Sequence, residues 1–292
     1  MLRQARRQLA AVGQTLRERL RSDGAVWPVP VLTAADASEA RAALLRELSG
    51  LQGRDGDFAQ NDLMYYKSHL VFSAVDTLAR HPTIVRAAQE ALGSEDLLLW
   101  DASIPIKPPT GEASAFFPWH QDGTYWGLEP TDGAVSCWVA LSEASREHGC
   151  MRVVRGSHGR PLQHTLRPQA DSMLRRGQRV EGVDEAAAEA MALSAGEMSL
   201  HHPLALHCSG PNTTSEPRVG VVLVFAAPST APHNGVGSAT LIAGRCDAPH
   251  WALSSWRPRT DAGVAAIDDA ESLAAHASAL AQHRGEMQAR RE

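Results

Sequence analysis

Apolar positions recur with a helical period through the first 95 residues of this 292-residue chain. Over residues 3–22, leucine and valine return every three or four positions between arginines, which predicts an amphipathic helix; these positions are Leu9, Val12, Leu16 and Leu20. The pattern then predicts a strand over 25–32 and helices over 33–51, 74–80 and 82–92. We therefore expect a mainly helical N-terminal part.

From residue 97 onward the pattern changes to short apolar strands that are broken by Gly, Pro and Asn. Helices followed by many short strands predict an α+β fold, in which helices brace a jelly-roll core. We interpret the chain as one domain, 1–292, with three parts: helices over 1–95, the core over 96–260 and a helical tail over 261–292. The predicted core strands are 97–106, 116–122, 134–141, 151–154, 198–202, 205–208 and 218–226.

A charged, alanine-rich insertion at 167–191 interrupts this core. Long insertions in barrel enzymes commonly cover the binding site, so we predict a lid here.

Composition and charge exclude several classes of partner. Hydrophobic residues make up 43% of the chain and charged residues 21%, as in ordinary globular domains, and a net charge of −5 argues against nucleic acid as a partner. No apolar run approaches the ~20 residues of a membrane span, and the first residues lack the apolar stretch of a secretory signal, so none is expected. The four cysteines are widely spaced, which is typical of reduced thiols. These features predict a cytoplasmic protein.

The arginine-rich helix over 3–22 has two interpretations. A basic amphipathic helix can mark a membrane surface or a transit peptide. The same pattern in a globular protein packs on the core or on a second subunit, which is the arrangement of a homodimer. We favour packing.

Two imidazoles and one carboxylate lie in segments that the pattern places on core strands. They are His120 and Asp122, in His120-Gln121-Asp122, and His207 far downstream. This is the ligand set of a non-haem Fe(II) oxygenase. On an extended strand, His120 and Asp122 leave the same face, and His207 reaches them from a distant strand.

A possible anion-binding residue follows the second segment. Ser209 lies two residues after His207, and Arg218 lies eleven residues after it, beyond a loop rich in Gly, Pro, Asn and Ser. Such a loop predicts a hairpin that brings Arg218 near His207. The planar guanidinium fork suits the distal carboxylate of a dicarboxylic co-substrate.

With these residues in place, the chain resembles the phytanoyl-CoA dioxygenase-like family of Fe(II)/2-oxoglutarate oxygenases over about residues 60–250. Two departures leave the metal ligands intact: Arg155 replaces the proline that usually precedes Gly-Ser-His, and Glu197 replaces an aspartate after Gly196. The matching segments are Lys67-Ser68-His69-Leu70, Pro118-Trp119-His120-Gln121-Asp122, Trp138-Val139-Ala140-Leu141, 149–158 and 195–218.

The resemblance implies a double-stranded β-helix, the cupin-like form of the jelly roll. It implies Fe(II) on His120, Asp122 and His207, with 2-oxoglutarate and O₂ as co-substrates. Oxidative decarboxylation of 2-oxoglutarate to succinate and CO₂ then drives oxidation of an unactivated C–H bond in a small-molecule metabolite. The residues implied for 2-oxoglutarate are Arg218, Ser209, Gln121 and Trp138, although Trp138 is equally a core residue.

Asp122 also bears on the reaction type. Halogenating relatives have a small residue at this position, so the carboxylate favours hydroxylation. Desaturation, cyclisation and epoxidation stay open as alternatives.

Other residues near the motifs have two interpretations. Tyr125, Trp126 and His69 are candidates for substrate contacts, and each is equally well explained by packing. His201 and His202 are alternatives to His207 on spacing alone, but only His207 has the downstream serine and arginine, so we interpret the other two as wall residues. Lys107, before Pro108-Pro109, is predicted to be solvated.

Two rival functions use the same residues. One is a non-catalytic jelly-roll binding protein. The other is a metal-dependent hydrolase or isomerase in a cupin-like barrel, whose turnover would not need O₂. The substrate class stays open among free acids, amino acids, alkaloids and CoA- or carrier-bound acids.

Overall fold

The computed structural model describes residues 13–49, 62–109, 115–167, 172–174, 177–233, 235–259 and 270–288. Within them, two β-sheets enclose a cavity, and helices cover the outer face of the larger sheet. The helices are α1 Leu16–Asp23, α2 Ala34–Ser49, α3 Ser73–Ala79, α4 Pro82–Leu92, α5 Gly123–Trp126 and α6 Ala270–Gln288.

The larger sheet has seven strands in the order β1-β10-β5-β12-β2-β14-β15. All neighbours pair antiparallel except β14 and β15, which are parallel. The strands are β1 Ala25–Pro30, β2 Leu97–Ser103, β5 Ala134–Ala140, β10 Glu197–His201, β12 Gly220–Ala226, β14 Gly237–Ala243 and β15 Trp251–Ser254.

The smaller sheet has four strands in the order β3-β11-β6-β9, all antiparallel. They are β3 Phe117–His120, β6 Met151–Val154, β9 Ala188–Met191 and β11 His207–Ser209. Short ladders of two residues complete the strands: β4 Leu128–Glu129 with β13 Ala231–Pro232, and β7 Thr165–Leu166 with β8 Gln178–Arg179.

The alternation of side chains along β5 explains how the larger sheet serves two purposes. Val135, Cys137 and Val139 are fully buried and pack in one apolar core with helices α1 to α4. The residues between them point the other way: Trp138 lines the cavity, and Ser136 Oγ lies 3.4 Å from Oδ2 of Asp122, which also lines it. One face of the sheet therefore forms the core, and the other presents side chains to a site.

These features confirm the predicted jelly-roll core with helical bracing. The predicted strands lie within a few residues of the observed ones, but β14 and β15 have no counterpart among them. The insertion over 167–191 is not a lid throughout, because its last residues form β9, which pairs with β6 in the smaller sheet.

The described part of the predicted first helix begins at Leu16, and residues 1–12 lie outside the described ones. Thr15 and Glu18 form a capping box at its start, and Leu20 is buried in the core. This part of the helix packs on the domain, as favoured above. Within the described ranges, no helix is long and apolar enough to cross a membrane.

Candidate active site

Three side chains from the two predicted segments meet at one end of the cavity. His207 on β11 pairs directly across from His120 on β3, and their ring centroids are 4.2 Å apart. Asp122 Oδ1 lies 3.3 Å from His120 Nε2 and 4.0 Å from His207 Nε2. One donor atom from each residue lies within 4.8 Å of the other two, which is the spacing of a metal site. Two neutral imidazoles and a carboxylate suit Fe(II) and leave positions open for exchangeable ligands.

The local route to this arrangement differs from the prediction. Strand β3 ends at His120, and Asp122 has helical backbone angles (φ −61°, ψ −49°) at the start of α5. Its carboxylate therefore reaches the histidines from a tight turn and not from the same strand face. Gly123 is required at this turn, because a Cβ there would lie 2.8 Å from Pro203 Cβ.

Both histidines are oriented by backbone carbonyls. Nδ1 of His120 lies 2.7 Å from Pro118 O, and Nδ1 of His207 lies 2.9 Å from Ala205 O. Because a carbonyl only accepts, each Nδ1 carries the proton and donates it, which leaves the Nε2 lone pairs directed at the metal position. Burial lowers the pKa of His207 to about 3, so the ring is neutral at neutral pH.

Asp122 is held as a carboxylate. Burial by itself raises its pKa, but His207, His120 and His201 together lower that pKa well below its ordinary value. Its two oxygens face different groups. Oδ1 faces the metal position, while Oδ2 lies 3.4 Å from both His201 Nε2 and Ser136 Oγ.

His201 is therefore a positioning residue that sequence reasoning treated only as part of the wall. It is buried, it pairs across from Ser136 on the neighbouring strand, and its Nδ1 has no hydrogen-bond partner among the described residues. Since a carboxylate accepts and does not donate, Nε2 carries the proton and donates it to Oδ2. No sequence signal separates Ser136 from the other residues of its strand.

We expect His201→Phe, which keeps a ring and removes the donor, to weaken Fe(II) binding by about 10–100-fold. The carboxylate of Asp122 then loses a partner on Oδ2 and turns more freely. Competition with a chromogenic chelator measures the affinity. His69→Phe is the matched control, because His69 is also a buried histidine but bonds Thr240 Oγ1 at 3.1 Å. Equal affinity in both variants would show that Oδ2 is held without His201.

His202 is not a ligand, and it lines neither of the two cavities next to the metal position. Its Nε2 bonds Asp132 Oδ1 at 2.9 Å, and its Nδ1 accepts from the amide of Leu204 at 3.0 Å. The interpretation of His202 as a wall residue is therefore corrected, whereas His201 does line the inner cavity.

The inner cavity measures about 150 Å³ and extends from the metal position to Arg218. Arg218 is 1% exposed and lies over the ring of Trp138, with 5.0 Å between Cζ and the ring centroid. It donates to Gly149 O at 2.5 Å and to Pro105 O at 3.3 Å, while its Nε has no partner among the described residues. Burial lowers its pKa to about 10, so it remains a cation at neutral pH. A buried cation with an unpaired donor fits the distal carboxylate of 2-oxoglutarate.

Gly220 permits this stacking. A Cβ at Gly220 would lie 2.4 Å from the Trp138 ring, so any other residue displaces the indole. Ser209 also lines the inner cavity, where its hydroxyl accepts from Lys107 Nζ at 2.7 Å.

The prediction for Lys107 is wrong. Lys107 is completely buried, and its Nζ donates to Ser209 Oγ and to Gly210 O. Its side chain points inward because the backbone of Lys107 forms an antiparallel bridge with that of Arg218, and this bridge fixes the direction of the side chain. The proline pair that follows it suggested an exposed turn.

Two predicted site residues lie elsewhere. The Gln121 amide donates to Arg160 O and Leu204 O, and its oxygen accepts from the amide of Leu162. All of these partners are backbone groups, and Gln121 lines neither cavity, so it ties loops together. His69 likewise lines neither cavity.

An outer cavity adjoins the metal position and is rich in aromatic rings. Tyr125 and Trp126, both predicted as candidates, belong to its lining. Trp126 packs on Trp100 with ring centroids 5.4 Å apart, so it is held in place by the core. Leu174, from the inserted segment, lines both cavities. This arrangement gives a second compartment, which a substrate can occupy beside the metal position.

A family model described as phytanoyl-CoA dioxygenase (PhyH) matches residues 20–220. The chain is 32% identical over 175 residues to a probable alpha-ketoglutarate-dependent hypophosphite dioxygenase of Stutzerimonas stutzeri. This match covers 58% of the chain and 59% of that protein. It is 26% identical to the peroxisomal phytanoyl-CoA dioxygenase of Homo sapiens, over 50% of the chain and 44% of that protein. The chain thus spans about half the length of these curated relatives.

Solved structures match over more of the chain. The apo structure of the non-heme monooxygenase ThoJ is 34% identical, with a TM-score of 0.80, and the match covers 93% of this chain and 97% of that one. The epimerase SnoN, in complex with Fe³⁺, alpha ketoglutarate and nogalamycin RO, is 29% identical with a TM-score of 0.58, over 74% of this chain and 84% of that one.

Proposed function

Since this chain belongs to the phytanoyl-CoA dioxygenase family, we propose that it is an Fe(II)- and 2-oxoglutarate-dependent dioxygenase that hydroxylates an unactivated C–H bond of a small molecule. The observation that carries the proposal is the union of two features in one cavity. A two-histidine, one-carboxylate cluster lies at one end, and a buried arginine with an unpaired donor lies at the other.

Bound Fe(II), 2-oxoglutarate and O₂ supply the oxidising chemistry, in which one oxygen atom enters succinate and the other enters the substrate, with loss of CO₂. The chain's residues bind and orient. His120, Asp122 and His207 hold the metal, and Arg218 and Ser209 hold the distal carboxylate. The ring of Trp138 lines the inner cavity, where it excludes water from the carbon chain of 2-oxoglutarate.

The lining of the outer cavity indicates what kind of substrate the site favours. Its rings offer an apolar surface next to the metal position, and they favour a compact substrate that presents a flat or cyclic apolar face. With iron bound, the Asp122 carboxylate would take a coordination position that chloride needs in halogenating enzymes, which favours hydroxylation over halogenation. A cytoplasmic location and a homodimer stay predictions from the sequence.

Anaerobic reconstitution with Fe(II) and 2-oxoglutarate, followed by O₂ and candidate substrates, tests the proposal. We expect succinate release that a true substrate stimulates, and a product that gains one oxygen atom whether or not chloride is present. Turnover without O₂ would instead identify a hydrolase or isomerase. Binding of a candidate substrate without succinate release would identify a non-catalytic protein. A product that lacks the added oxygen would identify desaturation or cyclisation.

A further inference from the structure

Lys107 and Arg218 are two buried basic residues on the same side of one antiparallel bridge. The amide of Lys107 donates to Arg218 O at 3.0 Å, and the amide of Arg218 donates to Lys107 O at 2.9 Å. Residues directly opposite in such a bridge project their side chains from the same face. The side chains are 0% and 1% exposed. Two basic side chains are thus held together, with Arg218 in the lining of the inner cavity and Lys107 outside that lining.

Among the described residues, neither side chain forms an ion pair with a carboxylate. Burial, and then Arg218, lower the pKa of Lys107 to about 6, while Cys208 and Cys150 oppose this shift weakly. Without an anion nearby, Lys107 is therefore mostly neutral at neutral pH, because a second buried positive charge beside Arg218 is unfavourable. An anion beside the two groups would favour the charged form of Lys107.

The contacts of Lys107 point into the cavity through Ser209. Nζ donates to Ser209 Oγ at 2.7 Å, so the serine's own hydroxyl proton must point elsewhere. Ser209 lines the inner cavity together with Arg218 and Phe117, and Lys107 Nζ lies 5.7 Å from the centroid of the Phe117 ring. The lysine therefore leaves Ser209 as a donor toward a ligand.

We infer that Lys107 is a positioning residue for the distal carboxylate of 2-oxoglutarate. It sets the Ser209 hydroxyl as a donor, and once the carboxylate is bound it takes up a proton from solvent and adds a second positive charge beside Arg218. This inference rests on the proposed function. It assigns a role in co-substrate selection to a residue that does not itself line the cavity.

The test uses the Ni(II)-loaded protein, because Ni(II) binds the same donors and supports no turnover. Calorimetric titration measures two ligands: 2-oxoglutarate, and 2-oxopentanoate, which has the same carbon chain but ends in a methyl group. We expect Lys107→Met to weaken the binding of 2-oxoglutarate by about tenfold or more, which is the contribution of one charge-assisted hydrogen bond. Binding of 2-oxopentanoate should change by less than about twofold, since it lacks the group that Lys107 orients.

Lys67→Met is the matched control, because Lys67 is the only other lysine of the chain and is also buried. Its Nζ donates to Trp100 O and Ser238 O, outside the inner cavity lining. This variant should lose stability and keep the affinity for both ligands. In Ser209→Ala, the effect of Lys107→Met on 2-oxoglutarate should shrink, because the lysine acts partly through that hydroxyl. With iron and substrate, the KM for 2-oxoglutarate should rise while kcat changes little.

The outcomes separate the two claims. If the wild-type protein binds neither ligand, the proposed function fails. If the wild type binds 2-oxoglutarate and Lys107→Met binds it equally well, only the role of Lys107 is overturned. Equal weakening of both ligands also overturns it, because the defect is then structural. Should Lys107→Met not fold, Lys107→Gln keeps most of the length and a donor without the charge, and the same criteria apply.

Discussion

Replacing His207 by alanine should abolish Fe(II) binding and turnover, whereas replacing His202 by alanine should leave both intact. His207 Nε2 is one of the donor atoms clustered within 4.8 Å, and its Nδ1 is fixed by Ala205 O. Both ring nitrogens of His202 are instead hydrogen-bonded, Nε2 to Asp132 and Nδ1 to the amide of Leu204. Removing a direct ligand should cost more than the roughly 10–100-fold that loss of an outer hydrogen-bond partner costs.

Chelator competition gives the metal affinity, and succinate release gives the turnover of each variant. Thermal unfolding of the metal-free proteins is the control, since both histidines are buried and both changes remove packing. If His202→Ala loses iron while His207→Ala retains it, the choice of distal ligand is wrong.

Replacing Arg218 by alanine should raise the apparent dissociation constant for 2-oxoglutarate by about 30-fold or more. Loss of one partner from a buried charge pair costs about 2–5 kcal/mol, and ~1.4 kcal/mol is tenfold. Arg218→Lys should recover only part of this, because lysine has the charge without the planar fork that lies on Trp138.

Arg152→Ala provides the matched control for Arg218→Ala. Arg152 also lies over an indole, with 5.5 Å between its Cζ and the Trp119 centroid, but it bonds Glu185 and is partly exposed. Its loss should leave the 2-oxoglutarate constant unchanged. Titration with 2-oxoglutarate, together with metal affinity to show that the ligand cluster is intact, decides the matter. An unchanged constant in Arg218→Ala would remove Arg218 from the co-substrate site.

Residue types and spacing could predict the metal cluster because its members lie next to recognisable strands. His120 and His207 do lie on strands that pair with each other. Asp122 lies beside both histidines, but it reaches them from the turn into α5 and not through the predicted strand geometry. A carboxylate can reach one point from either backbone conformation, so the motif constrains the chemistry more tightly than the local fold.

Side-chain alternation accounts for one site residue that the family match misplaced. Gln121 follows His120 directly, and consecutive residues of extended chain point to opposite sides. Its amide accordingly turns away from the cavity to the loops around Arg160 and Leu204. Lys107 was misplaced for the converse reason, since only its bridge to Arg218, far away in sequence, draws it inside.

Strands β14 and β15 were beyond prediction on physical grounds. β14 runs as Gly-Ser-Ala-Thr-Leu-Ile-Ala, small and polar at first, and shows no alternation of burial. β15 is four residues long and pairs parallel to β14 at the sheet edge. Their stability comes from neighbours in the sheet, which local sequence does not report.

The separate origins of the two cavity walls have a consequence for how such proteins diversify. The metal and co-substrate groups are built on paired strands and their immediate turns, whereas much of the outer cavity comes from short helices and loops between the strands, through Tyr65, Tyr125, Trp126 and Leu174. Connecting segments tolerate insertion and exchange better than ladder residues do. Descendants of one ancestor can therefore inherit the oxidation machinery unchanged while mutation explores new substrates, so selectivity and reactivity evolve as nearly independent traits.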